Sequence, residues 1–195
     1  MSLSAWMKRL LAKPSRASRP FRSTITMECL EGRITPASIA SGVPIGSAPV
    51  VRVLDATTLQ PVATVNAYDS GFTGGVNVAL ADVTGDGVAD LITGTTTGSS
   101  HVKVFDGVTF QQVKSFLAFP GFTGGVNVAG GDVNGDGKAD IVVSVASGGP
   151  PQVAVFSGAD GSVLRSFLAY DSGFLGGVRV AVGDVDGDGK ADITT

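Results

Sequence analysis

Three short stretches of the chain set oxygen-bearing side chains at alternate positions around two glycines. They are Asp82-Val83-Thr84-Gly85-Asp86-Gly87-Val88-Ala89-Asp90, Asp132-Val133-Asn134-Gly135-Asp136-Gly137-Lys138-Ala139-Asp140 and Asp184-Val185-Asp186-Gly187-Asp188-Gly189-Lys190-Ala191-Asp192. Positions one, three, five and nine carry a carboxylate, an amide or a hydroxyl in every copy. Position seven (Val88, Lys138 or Lys190) would offer its backbone carbonyl, which leaves its side chain free to vary. A hard cation such as Ca²⁺ takes about six to eight oxygens in flexible geometry, and a curled loop can supply them from alternate residues. Glycine at position six permits the sharp bend. Without a cation the carboxylates of one small turn repel one another. Mg²⁺ suits the pattern less well, because it prefers fewer protein ligands and retained waters.

The spacing excludes an EF-hand, which needs an acid at position twelve. Position twelve here is Thr93, Val143 or Thr195, and the loop closes early on the Asp at position nine. An Asx turn is an adequate account of one such loop. Three in register, with oxygen donors kept at the same four positions, point to a metal. The first loop is the weakest of the three, since Thr84 stands where the others have an amide or a carboxylate.

The loops belong to a longer repeat. Gly71-Phe72-Thr73-Gly74-Gly75-Val76-Asn77-Val78-Ala79 returns from Gly121 to Ala129. It returns again, as Gly173-Phe174-Leu175-Gly176-Gly177-Val178-Arg179-Val180-Ala181. Val51–Asp55 is matched by Val102–Asp106 and Val153–Ser157, and Ala63–Tyr68 by Lys114–Phe119 and Arg165–Tyr170. Each unit reads as four short strands. In the middle unit these are about 125–131, then the Asp loop, 140–145, 152–157 and, after a turn at 158–161, 163–169. The second strand is continuously apolar and is expected to be buried on both faces. Four strands in roughly fifty residues, punctuated by Gly and an aromatic, is the pattern of a propeller blade.

The expected fold is therefore all-β, an incomplete propeller of about three four-stranded blades, two complete and two half. Residues 1–40 read as a basic, unstructured head and 41–195 as repeats, with units at about 50–70, 71–120, 121–172 and 173–195. Completion by further blades of a longer chain, or by self-association, is expected, because a ring usually takes about four to eight blades.

Composition narrows the function. The 28 glycines and the low aromatic share of 7% suit short strands and tight turns. Residues 1–35 carry seven basic and two acidic side chains; the remainder carries seven basic and fifteen acidic ones, and all fifteen are Asp. That acidic body would repel phosphates, so a nucleic-acid partner is not expected. One cysteine, Cys29, permits no intrachain disulfide and no Cys-based zinc site. One histidine, His101, reads as a strand residue, and a multi-His metal centre cannot form within one chain. The longest uncharged run, Ile34–Val51, is broken by Pro36, Pro44 and Pro49, so no membrane span is expected.

The Phe-x-Gly-Gly links, the fifty-residue period and the Asp loops resemble FG-GAP/VCBS repeats, similar to those of the integrin alpha-subunit propeller. The resemblance covers about residues 50–195. It implies a β-propeller with calcium on the loop between the first two strands of a blade, held by the residues named above, and a place outside the cytoplasm. Leu30-Glu31-Gly32-Arg33-Ile34-Thr35-Pro36-Ala37 is similar to a leader seen on some bacterial surface and secreted proteins, although no apolar signal core precedes it. The expected function is a non-catalytic, extracellular or cell-surface module for adhesion or for binding a protein or glycan ligand. Two alternatives are a propeller-scaffold enzyme acting on polysaccharides, for which Asp69 and Asp82 would be the carboxylate pair, and a truncated product without independent function.

Overall fold

The computed structural model describes residues 38–195; the basic head, Cys29 and the Leu30–Ala37 segment lie outside the described residues. Thirteen strands follow in chain order: β1 Ser38–Ser41, β2 Val50–Asp55, β3 Pro61–Asn66, β4 Val76–Ala81, β5 Asp90–Thr95, β6 His101–Phe105, β7 Gln112–Leu117, β8 Val126–Gly131, β9 Asp140–Val145, β10 Gln152–Phe156, β11 Val163–Leu168, β12 Ala181–Gly183 and β13 Asp192–Thr194. They form four antiparallel meanders, β1-β2-β3, β4-β5-β6-β7, β8-β9-β10-β11 and β12-β13. This is an incomplete propeller, with the Asp loops joining β4 to β5, β8 to β9 and β12 to β13.

The first sheet has three strands where the repeat pattern shows two. Ser38–Ser41 pairs with β2, setting Ile39 opposite Leu54, and a bridge from Val43 to Val76 ties this blade to the next. The Ser-Ile-Ala-Ser strand has neither an Asp loop before it nor an apolar run, so only its pairing reveals it. β1 thus lies across the expected boundary between head and repeats.

Alternation along the second strands explains how the blades stack. All six residues of β5 and of β9 are buried, as the continuous apolar run predicts. Successive side chains point to opposite faces of a strand. Leu91 accordingly joins the cluster of Val51, Val53, Val65 and Val76 under the first blade, and Ile92 joins that of Val126, Val128, Ile141 and Val143 under the third. Val142 faces the other way, onto Val178. Each side chain of this size contributes about 1.5–3 kcal/mol on burial, so the interfaces between blades form the core.

The aromatic punctuation also serves those junctions. Phe72 packs on Tyr68 with ring centroids 5.2 Å apart, and Phe174 on Tyr170 at the same separation. The ring of Phe72 turns back over Gly74, where an added Cβ would stand 2.6 Å from Cζ. The first glycine of each Phe-x-Gly-Gly link is thus the seat of its own phenylalanine. Tyr68 donates from its hydroxyl to the His101 carbonyl at 2.9 Å; burial drives its pKa up. Phe116 stacks on Phe156 of the following blade at 4.7 Å, whereas Phe167, its equivalent one blade later, is 39% exposed.

The turns from third to fourth strand carry a local conflict. Leu59 and Phe110 both adopt φ +56°, the left-handed region, where the third blade has Gly161 at φ +78°. A side chain there costs about 1 kcal/mol or more. Leu59 is 61% exposed, so little packing opposes its removal. Leu59→Gly is therefore expected to stabilise the chain by about 0.5–1 kcal/mol in urea unfolding, after the entropy glycine adds to the unfolded state. Phe110→Gly should not share the gain, because Phe110 packs against the first-blade cluster.

Candidate metal centres

Each Asp loop is wound by its own first carboxylate. Asp82 Oδ1 accepts the Gly85 and Asp86 N–H groups at 2.7 and 3.1 Å, and Oδ2 accepts Gly87 N–H at 2.8 Å. Asp132 repeats the set with Gly135, Asp136 and Gly137 at 2.7, 3.1 and 2.8 Å. Asp184 takes Gly187 and Gly189 at 2.7 and 3.0 Å. Such tight winding requires left-handed backbone at two positions. The glycines at position four have φ of 79°, 82° and 79°, and those at position six 86°, 84° and 86°. Position five then accepts from position seven: Asp86, Asp136 and Asp188 from Val88, Lys138 and Lys190, at 2.8, 2.9 and 2.8 Å. The sequence pattern anticipated the role of the glycine at position six; that of position four was equally visible, since all three copies carry it.

In the third loop the arrangement brings carboxylates together. Asp184, Asp186 and Asp188 each offer an oxygen, all within 4.8 Å of one another, on an exposed bend. In the second loop Asn134 Nδ2 donates to Asp136 Oδ2 at 3.0 Å and makes a long contact with Asp140 Oδ1 at 3.5 Å. In the first, the buried Thr84 hydroxyl oxygen makes no well-formed hydrogen bond, although it lies close enough to the Asp90 carboxylate to favour its charged form. The donor set is all oxygen: carboxylate, amide, hydroxyl and, at position seven, backbone carbonyl. That fits a hard divalent cation of flexible coordination, and the poorly bonded Thr84 oxygen and the crowded Asp184–Asp188 carboxylates are both features that a cation would relieve.

The Asp at position nine has a second task. Asp90 Oδ2 accepts the Val83 and Thr84 N–H groups, each at 2.8 Å, and Oδ1 accepts Gly107 N–H at 2.7 Å from the turn after β6. Asp140 does the same for Val133, Asn134 and Gly158 at 3.1, 3.2 and 3.1 Å. A carboxylate has about four lone-pair sites, so three are committed to the backbone and one remains for a cation. Asp192 accepts Val185 N–H at 2.9 Å. Burial raises the carboxyls of Asp90 and Asp140 above the usual range, against the opposing pull of their N–H bonds. By linkage, these two groups hold a proton more tightly folded than unfolded, so their contribution to stability falls as pH rises through that window. Sequence pattern did not reveal the Gly107 and Gly158 donors, which lie 17 and 18 residues further along the chain.

This clasp predicts a metal-independent effect. Asp140→Ala leaves three N–H groups without their acceptor, each costing about 1–3 kcal/mol where water cannot replace it. The variant is expected to lose about 3–5 kcal/mol in urea unfolding in the presence of chelator. A loss seen only with calcium present would assign Asp140 to the cation alone.

Other candidates take lesser parts. His101 opens β6 and its Nε2 lies 2.8 Å from Ser115 Oγ, the strand position expected for it. No hydrogen bond joins Asp69 to Asp82 among the described residues, and both Asp82 oxygens are committed to their own loop. No helix among the described residues is long and apolar enough to cross a membrane. Away from the loops, a groove of about 380 Å³ runs past the inner strands, lined by Asn77, Asn127, Arg179, Thr96 and Ser147 among others. Asn77 Nδ2 donates to the Val126 carbonyl at 2.8 Å and to Asn127 Oδ1 at 3.1 Å, and Asn127 Nδ2 donates to the Val178 carbonyl at 2.7 Å. The second residues of β4 and β8 thereby stitch one blade to the next.

The family comparisons agree with a run of repeats. Residues 82–143 match the FG-GAP-like repeat family and residues 124–164 the FG-GAP repeat family. No curated protein matches the chain. Among solved structures, the crystal structure of a protein of unknown function from Bacteroides caccae is similar at 14% identity and a TM-score of 0.41, over 66% of this chain and 39% of that one. The chain thus spans well under half the length of that structure.

Proposed function

We propose that this chain, an FG-GAP repeat protein, is a non-catalytic calcium-binding module that works outside the cell or at its surface, in adhesion or in binding a protein or glycan ligand. One observation carries the calcium reading. Three loops in the same register between the first two strands of successive blades carry oxygen donors at positions one, three and five of a bend wound on position one, and in the third the Asp184, Asp186 and Asp188 oxygens converge. Asp82, Thr84, Asp86 and Asp90 would hold the ion in the first loop. Asp132, Asn134, Asp136 and Asp140 would do so in the second, and Asp184, Asp186, Asp188 and Asp192 in the third, each set joined by the position-seven carbonyl of Val88, Lys138 or Lys190. The bound charge would cancel carboxylate repulsion and hold the hairpin from first to second strand in one shape.

The extracellular part of the reading follows from concentration. Extracellular calcium modules work with dissociation constants of about 10⁻⁴–10⁻³ M, and exposed loops with three or four carboxylates, those at positions one and nine also accepting backbone N–H groups, suit that range. The inner-strand groove supplies a polar surface on which a ligand could rest. Absence of catalysis is supported by the acids at positions one and nine, whose oxygens are taken up by backbone N–H groups.

Calorimetric titration of the purified chain with CaCl₂ tests the proposal. Three binding events per chain are expected, falling to two in Asp188→Asn and in Asp136→Asn. A chain that takes up no Ca²⁺ would remove the reading.

A further inference from the structure

The position-seven lysines lie over the loop of the neighbouring blade. A Cβ built on Gly85 would stand 3.0 Å from Lys138 Cγ and 3.1 Å from its Cε, and one built on Gly135 would stand 3.0 Å from Lys190 Cε and 3.6 Å from its Cγ. The stem of Lys138 therefore crosses position four of the first loop, and that of Lys190 crosses position four of the second. One backbone contact fixes both placements. Ala139 N–H donates to the Asp82 carbonyl and Ala191 N–H to the Asp132 carbonyl, each at 2.7 Å. Position eight of one loop is thus tied to position one of the loop before it, and the residue just ahead has to run across that loop. Neither ammonium forms an ion pair among the described residues.

We propose that Lys138 sets the calcium affinity of the first loop and Lys190 that of the second, each from the neighbouring blade. The inference rests on the calcium reading and adds to it a rank order of the sites. Without calcium the lysine supplies part of the positive charge that the clustered carboxylates need. An arriving divalent cation is repelled by that ammonium, so the lysine weakens binding at the loop it covers more than at the loop it belongs to. The side-chain donors grade the same way. The first loop has Thr84 at position three beneath Lys138, the second has Asn134 beneath Lys190, and the third has four carboxylates. The third loop binds tightest and the first weakest, so the propeller fills in steps as calcium rises.

The test must resolve the loops singly. Gly87, Gly137 and Gly189 each donate their N–H to the position-one carboxylate of their own loop, so their amide resonances report the three sites separately in a CaCl₂ titration followed by NMR. In the unaltered chain the midpoints are expected in the order Gly189, Gly137, Gly87. Lys138→Met keeps the stem and removes the charge. It should move the Gly87 midpoint to lower calcium by about five- to tenfold at low salt and move Gly137, whose loop keeps the residue-138 carbonyl, by a clearly smaller factor, the Gly87 shift shrinking to less than about twofold in 0.5 M NaCl. Lys190→Met should move Gly137 more than Gly189 in the same way, and Lys138→Arg should restore the original order. A Gly87 midpoint unmoved by Lys138→Met, or a shift confined to Gly137, would overturn the inference while the calcium reading stands. Glycine resonances that do not respond to calcium in any loop would overturn both.

Discussion

Saturating calcium is expected to add about 8 kcal/mol to the unfolding free energy of the chelated chain. A site held at about a hundred times its dissociation constant, with no affinity for the unfolded state, contributes about 2.7 kcal/mol, and three such sites act together. At this size each kcal/mol moves the melting temperature by about 2–4 °C, so a rise of roughly 15–30 °C should separate melts in about 10–100 mM CaCl₂, a hundred times dissociation constants of about 10⁻⁴–10⁻³ M, from melts in chelator. Mg²⁺ at the same concentration should give a much smaller rise, because it dehydrates reluctantly and favours fewer protein ligands. The effect should be carried unequally. Asp188→Asn disturbs the converging Asp184, Asp186 and Asp188 oxygens and is expected to remove more of the gain than the equivalent change at Asp86, whose loop contains Thr84. Coincident melts with and without chelator would mean that the loops are wound by their own hydrogen bonds and need no ion.

The other large effect lies at the second glycine of the Phe-x-Gly-Gly link. Gly125 has φ +80° and Gly177 φ +84°. A Cβ at Gly125 would overlap the Thr96 carbonyl oxygen of the preceding blade, and one at Gly177 would overlap the Ala146 carbonyl oxygen. Both obstacles are backbone, which a rotamer change cannot relieve. Thr96 and Ala146 are themselves pinned, since their N–H groups donate to the Gly75 and Gly125 carbonyls at 3.0 Å. Gly125→Ala and Gly177→Ala are each expected to cost more than about 4 kcal/mol, through the combined strain of left-handed backbone and blades forced apart. Gly121 supplies the control: its φ is +82° but nothing lies within 4 Å of an added Cβ, so Gly121→Ala should cost only about 1–2 kcal/mol. Urea midpoints at fixed calcium would show the difference. Equal losses at Gly121 and Gly125 would mean that dihedral strain alone, and not contact between blades, makes the glycine necessary.

These two predictions divide along the line between what one-dimensional pattern carries and what packing adds. Repetition displayed the blades, because each is a nearly self-contained meander whose strands are neighbours in sequence. β9 runs from Asp140 to Val145, as its apolar run suggests. The loops were legible for the same reason: nine consecutive residues hold all their oxygen donors, and a spacing of two is visible without any fold. What spans a blade or a blade junction was not legible. β1 is recognised by its partner β2, since four residues of mixed polarity have no signature of their own. The Gly107 and Gly158 donors reach Asp90 and Asp140 across a meander, so an Asp that reads as a ligand proves also to be a clasp.

Residues a few positions apart are enough to specify a run of β meanders with three oxygen-lined bends. Which loop each lysine covers, which glycine faces a neighbouring backbone and which side of β5 meets which blade emerge from stacking instead. Those relations join residues about fifty positions apart, brought into contact by stacking one repeat on the next.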